Sequence, residues 1–165
     1  MRLSHPFDPI IDADSKILIL GSFPSIASFE QHFYYAHPRN AFWPIMEQLF
    51  DVTLSDVNQK KSFLHAKHIA LWDTYGSLRR EAGTSSDANL AEVMPNPIDT
   101  LLVKYPKIQN VFCNGTKAHK GLLSHFKNLH VSVEKLPSTS PAYAAMTFNN
   151  KLLQWQKVKE SLETH

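Results

Sequence analysis

Apolar positions in this chain fall into short runs that alternate with longer stretches of helical spacing. Lys16-Ile17-Leu18-Ile19-Leu20 is a β-branched and leucine run suited to a strand covered on both faces. Ile69-Ala70-Leu71-Trp72 reads as a second strand closing at Asp73, residues 108–112 as a third and 130–135 as a fourth. Between them, Asn40 precedes Ala41-Phe42-Trp43-Pro44-Ile45-Met46, with Leu49 and Phe50 completing an apolar face. An asparagine with a proline in the following turn is a normal helix start. A second helix is expected after Ser55 with Phe63 and Leu64 inward, and a third from Asn96-Pro97 to Tyr105, stopped by Pro106. Thr116 is expected to cap a fourth carrying Leu122, Leu123 and Phe126. In a fifth, over 147–162, Phe148, Leu152, Trp155, Val158 and Leu162 lie near helical spacing. An extended arm over 4–15, a short helix over 26–33 and a polar loop over 83–89 complete the pattern, which has no internal repeat.

Strands alternating with helices predict an α/β fold. The expected form is a single-domain α/β/α sandwich over residues 1–165, with a central, mainly parallel four-stranded sheet. In open sheets of this kind ligands bind beyond the carboxyl ends of the strands. Three strands end there in polar loops, at 21–25, 73–76 and 138–142. Residues 21–43 then concentrate a tight Gly-Ser-Phe-Pro-Ser turn, the rings of Phe33, Tyr34 and Tyr35, and a His37-Pro38 break. That density of rings and turn formers marks a site rather than a connection.

Composition narrows the class. With 165 residues, 43% hydrophobic and 19% charged, the chain can bury one full core, and no apolar run approaches a membrane span. The first residues lack the apolar stretch of a signal peptide, so a cytoplasmic location is expected. A lone cysteine, Cys113, forms no internal disulfide, cannot hold a four-cysteine cluster, and reads as a small buried hydrophobe. The net charge of +2 announces no nucleic-acid binder, yet residues 104–135 hold six lysines and three histidines against one acid, Glu134. The chain lacks a P-loop, a GxGxxG and a nucleophile elbow. His65 and His68 are the one close helical histidine pair, and no carboxylate at useful spacing joins them. No metal and no cofactor are expected.

Three blocks carry a resemblance: Gly21-Ser22-Phe23-Pro24-Ser25, Tyr34-Tyr35-Ala36-His37-Pro38-Arg39-Asn40-Ala41-Phe42-Trp43 and Leu136-Pro137-Ser138-Thr139-Ser140-Pro141-Ala142. Together with Leu71-Trp72-Asp73 and Phe112-Cys113-Asn114-Gly115, they resemble the uracil-DNA glycosylase superfamily, in particular its hypoxanthine-DNA (deoxyinosine) glycosylase branch. The resemblance runs from about residue 4 to 162. It implies extrusion of a damaged nucleotide from DNA and hydrolysis of its N-glycosidic bond.

Many members hold the attacking water with an Asp or Asn in the first turn, where this chain has Phe23, and the best-known uracil enzymes have a histidine where it has Leu136. Both departures match the hypoxanthine branch, in which the implied catalytic residue falls on Asn40. An amide orients water but is no strong base. The same residue read alone is a helix cap. Tyr35 matches the ring that stacks on the flipped base, and Gly21, Ser22, Phe23 and Asn114 are expected to line the base pocket. Asp73 falls where uracil enzymes read the base with asparagine, and a carboxylate accepts the N1–H of hypoxanthine; read alone, it is a strand-end turn former. Ser25, Lys117, Ser138, Thr139 and Ser140 are expected to face DNA, with Ser140-Pro141-Ala142 forming a weak wedge.

The resulting expectation is a monofunctional hydrolase, monomeric, acting on damaged DNA and followed by abasic-site repair enzymes. A uracil- or mismatch-specific enzyme of the same fold and a non-catalytic damaged-DNA binding module are the alternatives. A small-molecule hydrolase is disfavoured by the lack of a nucleophile–base pair.

Overall fold

A computed structural model describes residues 2–4, 8–24, 28, 30, 33–79 and 93–163. In chain order the elements are β1 (Arg2–Ser4), β2 (Ile17–Gly21), α1 (Phe42–Phe50), α2 (Val57–Lys67), β3 (Ile69–Asp73), β4 (Tyr75–Arg79), β5 (Val93–Pro95), α3 (Ile98–Lys104), β6 (Asn110–Asn114), α4 (Thr116–His125), β7 (Ser132–Leu136) and α5 (Phe148–Glu163).

The central sheet has the order β3-β2-β6-β7, and all three pairings are parallel. Successive side chains of β2 point to opposite faces, so Ile17 and Ile19 enter one core while Leu18 and Leu20 enter another. The first core takes Phe42, Ile45 and Met46 from α1, Phe63 and Leu64 from α2, and Trp155 and Val158 from α5. The second takes Ile98 and Leu101 from α3 and Ala118 and Leu122 from α4. The sheet thus lies between two helical layers, the expected α/β/α arrangement, with all five β2 residues buried. The outer edge of β3 is covered by the N-terminal arm, where Ile10 and Leu71 exchange backbone hydrogen bonds of 3.0 and 2.9 Å.

Several boundaries differ from the pattern reading. The third and fourth strands end two and one residues later than expected, at Asn114 and Leu136, because their parallel ladder continues through Asn114 opposite Leu136. Ile108 belongs to the preceding turn, its N–H donating to the Tyr105 carbonyl at 3.2 Å. A second, antiparallel sheet of order β1-β4-β5 was not expected. Thr116 is the first residue of α4 rather than its cap; Gly115, at φ +97°, takes the cap position. Leu123 is exposed. The expected loop at 83–89 and most of the expected helix at 26–33 lie outside the described residues. Among the described residues no helix is long and apolar enough to cross a membrane. His65 does not face His68: its Nδ1 lies 2.7 Å from Asp12 Oδ2, and His68 ends α2 in the left-handed region.

Candidate active site

After β2 the chain moves outward to β3, and after β6 it moves the other way to β7, so the loops leaving β2 and β6 diverge. Such a switch point is where open sheets of this kind bind ligands. Gly21, at the end of β2, sits in register with Asp73 at the end of β3. The pairing carries on past the strands, since Thr74 N–H donates to the Gly21 carbonyl at 2.7 Å and Tyr75 N–H to the Ser22 carbonyl at 3.0 Å. A Cβ on Gly21 would collide with Asp73 Oδ1 and stand 3.0 Å from the Tyr35 hydroxyl. Gly21, Asp73 and Tyr35 therefore converge, and the glycine is what lets them.

Asp73 is 3% exposed, and its backbone is pinned by a residue that the pattern reading took for a helix start. Asn96 Nδ2 donates to the Asp73 carbonyl at 2.8 Å and approaches the Tyr75 carbonyl at 3.4 Å. Nothing in spacing distinguishes such a brace from an ordinary Asn-Pro cap. Phe23 is buried and Ser22 half-buried beside the same strand end, while Ser25 lies outside the described residues.

Tyr35 adopts φ 56°, a region that bulky residues rarely occupy and that costs about 1–3 kcal/mol. Its ring stacks on Phe42, with centroids 4.2 Å apart and planes 18° from parallel. Its hydroxyl is buried without a hydrogen-bond partner among the described residues. Burial, reinforced by the Asp73 carboxylate, holds that hydroxyl protonated well beyond the usual tyrosine range. Tyr34 is structural: its hydroxyl donates to the Asp8 carbonyl at 3.1 Å, and its own carbonyl accepts from Trp43 Nε1 at 3.0 Å.

Asn40 is half-buried at the start of α1. Its Oδ1 accepts the Phe42 N–H at 2.9 Å, and Ala41 already has helical angles of φ −80° and ψ −4°. The residue is thus a helix cap in fact. A carbonyl oxygen has two lone pairs, so the cap bond leaves one acceptor position on the same atom.

The 138–142 loop reaches this helix start directly, because Ala41 N–H donates to the Thr139 carbonyl at 2.9 Å. Thr139 itself is 1% exposed, and its side chain is committed to Asn114. The loop folds on its own hydroxyls: Ser138 Oγ accepts the Ser140 N–H at 3.1 Å, and Ser140 Oγ accepts the Ala142 N–H at 3.1 Å. Both serines are half-buried and keep an O–H to donate. Ser138 packs against Gly115 at the start of α4, whose first turn carries the exposed Lys117. Trp155 Nε1 anchors the loop's entry by donating to the Pro137 carbonyl at 2.9 Å. Its exit is held by Lys151, which donates to the Tyr143 carbonyl at 2.8 Å. Burial keeps that ammonium's pKa below the usual lysine value.

One cluster thus joins Gly21, Asp73 and Tyr35 at the strand ends, and a run of hydrogen bonds links Asn114 and Thr139 to Ala41 beside Asn40. An open groove of about 580 Å³ beside α5 lies apart from it, lined by Asn110, Phe112, Glu134 and Lys157 among others. There Lys157 pairs with Glu134 at 3.2 Å.

Residues 9–162 match the family model described as the uracil DNA glycosylase superfamily. The chain is 31% identical over 160 residues to a hypoxanthine DNA glycosylase of Methanosarcina acetivorans, covering 94% of this chain and 98% of that one. It is 32% identical over 114 residues to a hypoxanthine DNA glycosylase of Methanosarcina barkeri, covering 68% and 71%. A solution NMR structure of a candidate uracil DNA glycosylase from Methanosarcina acetivorans superposes with a TM-score of 0.82 at 29% identity, covering 99% of each chain. With a four-stranded parallel sheet and a family match across almost its whole length, this chain belongs to the uracil DNA glycosylase superfamily.

Proposed function

We propose that the protein removes hypoxanthine from deoxyinosine in DNA by hydrolysing the N-glycosidic bond. The observation that carries the reading is Asn40, whose amide oxygen is fixed at the start of α1 by the N–H of Phe42, the residue whose ring stacks on Tyr35. The names of the two Methanosarcina relatives support the same base.

In this reading the flipped purine rests on Tyr35, and Asp73 accepts the N1–H at the pocket floor. The C1′–N9 bond breaks with its electron pair leaving on the purine, and the sugar becomes oxocarbenium-like. A water hydrogen-bonded to Asn40 Oδ1 adds to C1′, its proton passes to solvent, and the departing purine is protonated on a ring nitrogen. Phe23 offers no group for that water, so orientation falls to Asn40, and the rate comes from electrostatic placement rather than from a strong base. The protein acts as a single domain and a monomer, without metal, on damaged DNA, and leaves an abasic site for other enzymes.

The test is release of free base from duplexes carrying inosine, uracil or xanthine, with and without chelator. Hypoxanthine release that survives chelation is the expected result. Release of uracil with inosine untouched would move the assignment to a uracil enzyme. Tight binding without release of any base would make the chain a damage-binding module.

A further inference from the structure

We propose that Asn114 and Thr139 are positioning residues that hold the Asn40 helix start against the 138–140 loop. The Asn114 amide meets Thr139 through both of its ends, with one N–H and one lone pair. Its Nδ2 donates to Thr139 Oγ1 at 2.9 Å, and its Oδ1 accepts the Thr139 N–H at 3.0 Å. The two residues are 9% and 1% exposed, so water does not replace either bond without opening the loop. Two bonds to one residue fix its orientation as well as its place.

That orientation aims the Thr139 carbonyl at Ala41, whose N–H it accepts at 2.9 Å. Helix starts leave their first N–H groups without intrahelical partners. In α1 two of these donors are met from different directions: Phe42 N–H by Asn40 Oδ1, and Ala41 N–H by the loop. Ala41 is bonded to Asn40 through one peptide, so moving the Thr139 carbonyl turns the peptide from which the Asn40 side chain projects. The run Asn114–Thr139–Ala41 thereby ties the end of β6, the loop after β7 and the start of α1 into one unit. The inference rests on the proposed role of Asn40, but its first readout does not depend on activity.

The experiment compares Asn114→Ala, Thr139→Val and Thr139→Ser. Valine keeps the shape and backbone of Thr139 and removes the hydroxyl; serine retains it and is the conservative control. Amide hydrogen exchange is read at Ala41, with Met46 and Leu49 inside α1 as references. Base release is read in single-turnover assays on two damaged bases. Exchange at Ala41 is expected to quicken by at least about tenfold in Thr139→Val, with α1 interior amides unchanged. Release should fall about 10–100-fold for both bases alike, at unchanged duplex affinity, since small misplacements near a reacting group have costs of that order. Thr139→Ser should restore both. Unchanged Ala41 exchange overturns the proposal, as does quickened exchange with unaltered release, or a changed ratio between the two bases in Thr139→Val. If Asn114→Ala does not fold, the two Thr139 variants carry the test. If the wild type releases no base, the function assigned above fails, and the Ala41 exchange still decides whether the clamp exists.

Discussion

Tyr35 lies flat on Phe42, 4.2 Å between ring centroids, while its own backbone is held at φ 56°. A strained residue persists only where its surroundings over-determine it, and here the determinant is the packing of its ring. The hydroxyl contributes nothing to that packing. It is buried and makes no hydrogen bond of good geometry among the described residues, with Asn114, which bonds Thr139, as its polar neighbour. Tyr35→Phe is therefore expected to keep deoxyinosine affinity and to match or exceed wild-type stability, by up to about 1 kcal/mol. Tyr35→Ala is expected to weaken binding to an inosine-containing duplex by about 1–3 kcal/mol, the usual worth of a stacked base. Fluorescence anisotropy and denaturant melts of the two variants measure both. A Tyr35→Phe variant that binds as poorly as Tyr35→Ala would show that the hydroxyl, not the ring, holds the base.

Asn40 serves two purposes through one oxygen, and substitution can separate them. Serine caps helices about as well as asparagine, whereas alanine costs about 1 kcal/mol. Asn40→Ser should therefore unfold at nearly the wild-type denaturant midpoint and Asn40→Ala at a lower one. Serine's hydroxyl sits closer to the backbone and does not reach where the amide holds water. Both variants should lose base release by about two to three orders of magnitude, the range for removing one preorganised polar group from a reacting centre. If loss of release instead tracks loss of stability, with Asn40→Ser nearly intact, Asn40 is a cap and nothing more.

The central sheet was legible because β2 and β3 are largely buried on both faces and so are apolar up to their last residues, as in Ile17-Leu18-Ile19-Leu20. Where backbone pairing rather than burial sets the boundary, the pattern misplaces it. Asn114 and Leu136 are joined to their strands by the ladder, although one is polar and the other opens a proline-rich loop. The second sheet was invisible for a related reason: Tyr75–Arg79 contains Gly76 and ends in an arginine, and its partners are distant in sequence. At the site, residue type told what Asn114, Thr139 and Asn96 could bond to, but not which partner each would meet. Asn114 read as a pocket group and Thr139 as a DNA contact. Their mutual bonds depend on how closely β6 approaches the loop after β7, a tertiary distance that no local pattern encodes.

Cys113 gives a pH signature. It is fully buried in β6 opposite Leu20, and burial pushes its thiol up to about 12 from an ordinary 9.0. Below pH 9 the thiol is neutral in both states and contributes nothing to the pH dependence. Between 9 and 12 the unfolded chain releases this proton and the folded one retains it, so stability falls as pH rises. Buried tyrosines add to the same slope, so the comparison must be with a variant lacking only the thiol. Over pH 9–11, Cys113→Ala is expected to lose less stability than the wild type, although it starts lower because of the cavity it leaves. Native protein should resist alkylation at pH 8 and react only as fast as it unfolds. Parallel pH slopes for the two proteins, or rapid native labelling, would contradict this burial.

Gly21 tests the convergence at the pocket floor. A Cβ there would strike Asp73 Oδ1 and crowd the Tyr35 hydroxyl. Asp73 has little freedom to retreat, since its backbone is in register with Gly21 and its carbonyl accepts from Asn96. Gly21→Ala is expected to destabilise the fold by about 1–3 kcal/mol, as overpacking does, and to depress base release by displacing the Asp73 carboxylate. If that collision is the cause, shortening Asp73 should remove it. In an Asp73→Ala background, Gly21→Ala should cost much less stability than in the wild type, a coupling that a double-mutant cycle reads directly. Additive costs would mean that the methyl strikes something other than Asp73, and that the glycine is needed for the turn rather than for the carboxylate. The cycle thus distinguishes a glycine kept for chain geometry from one kept so that a carboxylate and a tyrosine meet at one point.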